Sequence, residues 1–529
     1  MKKLDIGFGN LSQARCCPHG GVSPSGAGGR PVTRRTFLKG MGAATLGGVV
    51  LSELSWPALL AAAPEGEPFE IVRRPLRVKP VLVHSVPERQ PQTSWRNWGG
   101  IETLRDAEAE AARIREELAA LKRRADFPVE FLPVSKAQTG DGIAAIGDLA
   151  SADAVIAYAS GGWLDCYDAL GALGKDIIFF CRHKSGPVYL WYEIVSPRYL
   201  RKGTDSLAVK GVDDEDVVID SQAEILWRLR ALGGLRNTIG TRVVSIGGPN
   251  AWSEPPGVDV PELVAGQWKI DMPTVTYDAL GRLIREARSD VAAMKQARAE
   301  ADAYLRTPGT TLETDRAFVV NAFLLTRVFR GIMKAAGCRA ITVNSCMGTI
   351  MPLAETSACL TLSLLNDAGY LAFCESDYVV IPSGVLLANI SAKPVFLNDP
   401  TYPHDGIITI AHCTAPRRMD GLEQEPARIL THFESDYGAA PKVEMRQGQF
   451  VTNVAPDFAS KRWLGLGAEI VEAPFLPICR SQVDVRFTVD NLTLARRMPG
   501  FHWMTGYGDY LREVGYAIKR VGIEWDRLA

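Results

Sequence analysis

From Val78 onward the chain alternates short apolar runs with amphipathic stretches, a pattern that predicts parallel strands separated by helices. Pro80-Val-Leu-Val-His84 reads as a strand. Across 101 to 124, Leu104, Ala107, Ala111, Ile114, Leu118 and Leu121 recur at helical spacing among Arg and Glu, which predicts a long amphipathic helix. Val129-Glu-Phe-Leu132 is the next strand, followed by a helix near 141 to 149 and the strand Ala154-Val-Ile-Ala-Tyr158. A second set is predicted to open at Asp176-Ile-Ile-Phe-Phe-Cys181. It continues through strands at Pro187 to Leu190, Arg242 to Ile246 and Lys269 to Asp271, with a helix over 221 to 233. The polar span 276 to 305 predicts a solvated connecting helix. An apolar helix over 318 to 335 leads into the strand Ala340 to Asn344, and another helix covers 353 to 367. Beyond about 410 helical periodicity fades, and Phe450-Val-Thr, Glu469-Ile-Val and Val483 to Thr488 read as short strands before a last helix from Tyr510 to Val521. The expected fold class is α/β: two Rossmann-like parallel-sheet domains, 64–170 and 171–400, followed by a mostly antiparallel β domain, 401–529.

Residues 1 to 63 stand apart from that pattern. Thr33-Arg34-Arg35-Thr36-Phe37-Leu38-Lys39 matches the twin-arginine export motif at every position. A weakly apolar, Gly/Ala-rich stretch carrying Glu53 follows, and Ala61-Ala62-Ala63 offers a small-residue cleavage site. The expectation is a leader recognised by the twin-arginine translocase, which moves folded chains to the periplasm or beyond. Retention of the leader as a membrane anchor is the alternative.

Composition narrows the partners. With 59 basic and 60 acidic residues among 529, the chain carries no bulk field to recruit nucleic acid. Ten cysteines are present, two of them in the leader, and no CxxC pair occurs among the remaining eight. Most sit in apolar runs, where a free thiol behaves as a small buried hydrophobe, so neither a zinc cluster nor a disulfide scaffold is expected.

The most informative stretch for chemistry runs from Gly369 to Asp399. Gly369-Tyr-Leu-Ala-Phe-Cys-Glu375-Ser-Asp377 predicts a buried strand ending in acids, 379 to 392 a helix, and Lys393-Pro-Val-Phe-Leu-Asn-Asp399 a second strand ending in an acid. Such a unit predicts two neighbouring parallel strands with Glu375 and Asp399 on one carboxyl edge. Two adjacent carboxylates repel unless a cation or a shared proton compensates, so the pair invites a hard divalent ion. Asp377 and Asp405 read first as helix caps, with contact to a substrate or orientation of a ligand left open. Gly247-Gly248-Pro249 lacks the GxGxxG spacing and the lysine of a nucleotide loop.

The segments Cys374 to Asp377 and Lys393 to Asp399 resemble the metal-binding core of the L-fucose/L-arabinose isomerase superfamily, and Phe501-His502-Trp503 resembles the place of its carboxyl-terminal histidine. Val243 to Pro249, Trp268 to Met272, and Ala411-His412-Cys413 are similar to further parts of that family. The resemblance implies that Glu375, Asp399 and His502 bind Mn²⁺ or another divalent cation. Glu375 and Asp399 then carry the proton transfers of an aldose–ketose isomerisation through an enediolate, in either assignment of roles. It also implies a small sugar as substrate and a homo-oligomer, trimeric or hexameric. His412 is a candidate substrate or second-sphere contact, alongside a purely structural role. Asn344 stands, with Ser345 and Cys346, where the family has a sugar-contacting loop. Trp163, after Gly161-Gly162, is a candidate to stack on a sugar face or to pack. An exported carbohydrate-binding protein without catalysis, and a metal-assisted epimerase or lyase, remain the alternatives.

Overall fold

The computed structural model describes residues 51, 54–62, 73–192 and 194–528. The twin-arginine motif and Ala63 lie outside them. The first sheet is wholly parallel, built from β1 (Leu76–Val83), β2 (Val129–Phe131), β3 (Ser135–Ala137), β4 (Ala154–Ala159), β5 (Asp176–Cys181) and β6 (Val217–Ile219). Its order is β2-β1-β4-β5-β6, with β3 alongside the second half of β1. Every residue of β4 is buried, as a strand covered on both faces requires. The expected helix is Leu104–Arg124. Ala107, Ala111, Ile114, Leu118 and Leu121 form its buried stripe, and Thr103 and Asp106 close a capping box at its start.

This sheet runs past the expected boundary at 170, because β5 pairs in parallel with β4 and β6 with β5. An apolar run shows that a strand is buried but not which sheet receives it. Pro187 to Leu190 is not a strand; the chain there enters a 3-10 turn, Leu190–Tyr192. Lys269 adopts a left-handed conformation (φ 56°) that ends the helix Val260–Trp268, so the strand expected at 269 is displaced to Thr274–Val275.

The second sheet, also parallel, holds β7 (Val243–Ile246) and β8 (Thr274–Val275). The next strand, β9 (Thr310–Leu312), leaves for a small sheet, and the second sheet is completed by β10 (Ala340–Val343) and β11 (Leu371–Phe373) in the order β11-β10-β7-β8. Between β8 and β9 the expected single helix is two, Tyr277–Ser289 and Val291–Leu305. Asp290 separates them by accepting the amides of Ala292 and Ala293 as an N-cap. The first of the pair is not solvated all round: Leu280, Leu283 and Ile284 are buried. Trp56, within the stretch assigned to the leader, heads a short helix (Trp56–Ala62) and donates its Nε1 to Asp290 Oδ2.

The remaining strands are β12 (Phe396–Pro400), β13 (Ile407–His412), β14 (Ala427–His432), β15 (Tyr437–Val443), β16 (Phe450–Pro456), β17 (Arg462–Glu472), β18 (Ser481–Arg486), β19 (Trp503–Tyr507) and β20 (Glu524–Leu528). β14 and β15 join β9. The others run β16-β19-β12-β13-β18-β17, and β17 pairs back onto β16, which closes an antiparallel barrel. β20 adds to β17 in parallel. The α/β class with two parallel sheets and a mostly antiparallel C-terminal part is therefore the architecture of the chain.

One expected relationship is corrected. β11 and β12 are not parallel neighbours: β11 pairs with β10, whereas β12 is antiparallel to both β13 and β19. The helix between them, Ile381–Ser391, is a crossover between two sheets rather than within one. Its buried face is almost continuous because it packs on β11, on β19 and on the helix Gln222–Thr238.

Candidate metal centre

β11 stops at Phe373, and the backbone then turns abruptly. Glu375 and Ser376 both adopt left-handed conformations, φ 63° and 48°, which cost a non-glycine residue on the order of 1 kcal/mol each. The turn is held by Asp377. Its Oδ1 accepts the amides of Val379 and Trp252, each at 3.1 Å, which closes the turn; the helix Ile381–Ser391 opens at Val380 without a side-chain cap, so Asp377 is not the helix cap expected. Its Oδ2 does something else: it accepts His502 Nδ1 at 2.7 Å, and both side chains are 1% exposed. Asp405 caps no helix either. It forms with Gly406 the two-residue, positive-φ tip of the β12–β13 hairpin.

Asp399 lies in β12, opposite Ala411 of β13. The β12–β19 register ends at Asn398↔Trp503, and one further step sets Asp399 opposite His502. Three elements therefore converge: the turn after β11, the end of β12 and the residue that opens β19. His502 Nε2 lies 3.1 Å from Asp399 Oδ1 and 3.4 Å from Glu375 Oε2. The chain separates Glu375 from His502 by more than a hundred residues, yet the expected triad is assembled. His412, the last residue of β13, completes the group, with Nε2 3.7 Å from Glu375 Oε1 and Nδ1 2.9 Å from Thr414 Oγ1. Asp399, His412 and His502 offer ligand atoms within 4.8 Å of one another.

Three atoms in this cluster, Glu375 Oε2, Asp399 Oδ1 and His502 Nε2, are buried without any hydrogen-bond partner. Leaving such atoms unsatisfied is costly. His502 Nε2 stands between the two carboxylate oxygens, 3.4 Å from Glu375 and 3.1 Å from Asp399, and these are the oxygen and imidazole donors that a hard or borderline divalent ion prefers. With His502 Nδ1 paired to the Asp377 carboxylate, Nε2 is the ring nitrogen left facing Asp399 and Glu375. The donor set fits a metal.

The electrostatics carry the same demand for positive charge. Burial opposes ionisation of Glu375, but His412 and His502 outweigh it and hold the carboxyl well below its usual range. Burial likewise opposes protonation of His502, and Asp377, Asp399 and Glu375 overcome it, so its pKa lies well above the ordinary histidine value. The side chains of Glu375 and Asp399 remain 26% and 32% exposed, so the cluster opens to solvent on their side.

The other expected residues fall outside the cluster or at its margin. Asn344 follows β10 at the same carboxyl edge, with its Oδ1 engaged by the amide of Ser345 at 2.8 Å. Trp163 caps the helix Leu164–Gly171 and is 73% exposed. Among the described residues no ring contact or hydrogen bond links it to the carboxylates. The aromatic surface at the site comes instead from Trp252, which stacks on Phe501 (4.4 Å between centroids, 7° between planes) and meets the His502 ring edge-on at 5.5 Å. Phe501 beside His502 was visible in the sequence, but Trp252, in a loop more than two hundred residues upstream, carried no signal. Comparison with protein-family models finds no family that matches the chain, and comparison with curated proteins finds no similar sequence.

Proposed function

We propose that the protein is a divalent-metal-dependent aldose–ketose isomerase, working on a sugar outside the cytoplasm after export in folded form. The observation that carries this reading is that three buried donor atoms without hydrogen-bond partners meet around His502: its Nε2 lies 3.4 Å from Glu375 Oε2 and 3.1 Å from Asp399 Oδ1. Glu375, Asp399 and His502 would hold the ion, Mn²⁺ first among the candidates, with His412 beside them. A divalent ion held there supplies Lewis acidity toward the adjacent carbonyl and hydroxyl oxygens of an open-chain sugar. The residues of the chain supply the rest. One carboxylate, Glu375 or Asp399, takes the proton from C2 of the aldose and returns it to C1, while the hydroxyl proton passes from O2 to O1. Asp377 fixes the His502 ring, and the stacked Trp252 and Phe501 present an apolar face suited to the C–H side of a pyranose or open chain.

The test is exchange in D₂O. Purified protein with Mn²⁺ is incubated with a panel of pentoses, hexoses and deoxy sugars, and solvent deuterium at C2 of the aldose or C1 of the ketose is followed by NMR. Exchange that is lost in both Glu375→Gln and Asp399→Asn supports the isomerase. Sugar binding with no exchange and no bound metal would point to a carbohydrate receptor. Bound metal with epimerised or cleaved products would point to an epimerase or lyase. The trimer or hexamer implied by the resemblance belongs to the same proposal, and light scattering of the purified protein tests it.

A further inference from the structure

All eight cysteines of the described residues are free thiols, and five of them are gathered in one place. Cys359 and Cys413 share one buried cluster with Cys479 packed against it, and Cys346 lies close enough to Cys359 and Cys374 to interact electrostatically with both. The five arrive from separate segments: the turn after β10, the helix Ala358–Asp367, the residue after β11, the residue after β13, and the loop before β18. These thiols are free, as the sequence led one to expect, but their gathering was not legible, because no two of the five lie within a few residues of each other and spacing carried no signal.

His432, the last residue of β14, joins them. The ligand atoms of Cys359, Cys413 and His432 all lie within 4.8 Å of one another, and all three residues are buried. His432 Nδ1 pairs with Ser435 Oγ at 3.1 Å, which orients the ring. A buried thiol packed as a hydrophobe needs no imidazole beside it. In a tetrahedral zinc site, metal–sulfur and metal–nitrogen bonds of about 2.3 and 2.0 Å set the ligand atoms roughly 3.5–3.8 Å apart. The three atoms already lie within 4.8 Å of one another, about 1 Å wider than that spacing.

We propose that Cys359, Cys413 and His432, with Cys346 or Cys479 as the fourth ligand, bind one thiophilic divalent ion of the zinc class. Three thiols enter as thiolates and His432 enters neutral, so binding releases three protons to solvent. Four protein ligands leave no open position, which marks a structural site rather than a second reaction centre. The site stands directly behind the carboxylate centre. His412 turns toward Glu375 while its neighbour Cys413 turns toward Cys359, as successive residues at a strand end do. Cys374 stands at the junction, with its sulfur within 4.8 Å of donor atoms of both Glu375 and His412. The two centres differ in hardness: oxygen and imidazole on one side, sulfur on the other.

The test is metal analysis of the full chain purified under reducing conditions. The expected result is one zinc per chain, retained in Glu375→Gln and at least tenfold depleted in Cys359→Ser and in Cys413→Ser. Replacement by Co²⁺ should then give thiolate-to-cobalt charge-transfer absorption. If those two variants do not fold, His432→Gln keeps every sulfur and should still shift the cobalt spectrum. Free thiols with no stoichiometric thiophilic metal would overturn the proposal, as would a disulfide among the five in mass spectra of the unreduced protein. A coloured protein releasing acid-labile sulfide would overturn it too, in favour of an iron–sulfur cluster.

Discussion

His502 donates Nδ1–H to Asp377 Oδ2 across 2.7 Å, and the two side chains are almost wholly enclosed. A carboxylate behind a histidine fixes the ring, sets the tautomer and raises the basicity of the outer nitrogen, and removing such support costs about 10–100-fold in metal affinity. Asp377→Asn is accordingly expected to weaken Mn²⁺ binding by at least about tenfold. Isothermal titration calorimetry measures this. An unchanged affinity would mean that Asp377 serves only the amides of Val379 and Trp252.

Metal binding is also expected to appear as stability. A ligand at about a hundred times its dissociation constant stabilises the native state by about 2.7 kcal/mol. Saturating Mn²⁺ should raise the melting temperature of the natural chain in calorimetry, and a chelator should reverse it. Glu375→Gln should show neither response, since it removes one of the three donors while keeping nearly the same volume.

Gly384 tests how the scaffold sets the site. A methyl group there would meet Met504 Cε at 2.5 Å and Phe373 Cε1 at 2.6 Å, atoms of β19 and β11. These strands carry His502 and Glu375 at their ends. Gly384→Ala should cost about 1–3 kcal/mol through overpacking, readable in chemical denaturation. Because it pushes the two strands apart, it should also weaken metal binding, although it lies outside the donor set.

Asp367 yields a pH prediction. Its Oδ1 accepts the amides of Arg417 and Arg418, but its Oδ2 is enclosed with no partner. Burial pushes the carboxyl up to about 7, against the pull of those amides. In the unfolded chain the group titrates near its ordinary value, so between there and about pH 7 the native state holds the extra proton. Its favourable contribution is complete below the unfolded value and is lost as pH rises through about 7. Asp367→Asn should flatten that part of a stability-against-pH curve measured by urea denaturation, and an unchanged slope would refute the assignment.

The sequence was legible where chemistry is local. The apolar stripe of Leu104–Arg124 and the runs of β4 and β5 each act within a few residues. The acids Glu375 and Asp399 were found by their place at strand ends, but for a partly mistaken reason. A strand, a helix and a strand of these lengths fit a crossover within one sheet as well as one between sheets. The choice is made by β19, about a hundred residues downstream, which captures β12. The break at Asp290 was readable as Ser-Asp before a new helix, a capping signal hidden by the surrounding charge. Trp252 and the five sulfurs had no such signal, because their partners are fixed only by the finished fold.

The barrel contributes Asp399 and His502, while the parallel sheet contributes Glu375. On the proposed reading, an ion held by all three would be a rivet between two independently hydrogen-bonded bodies, its last contact made by a residue translated long after the first two. Its capture would have to wait until β19 has docked, so a chain exported with such an ion aboard would already have passed a test of its own completeness.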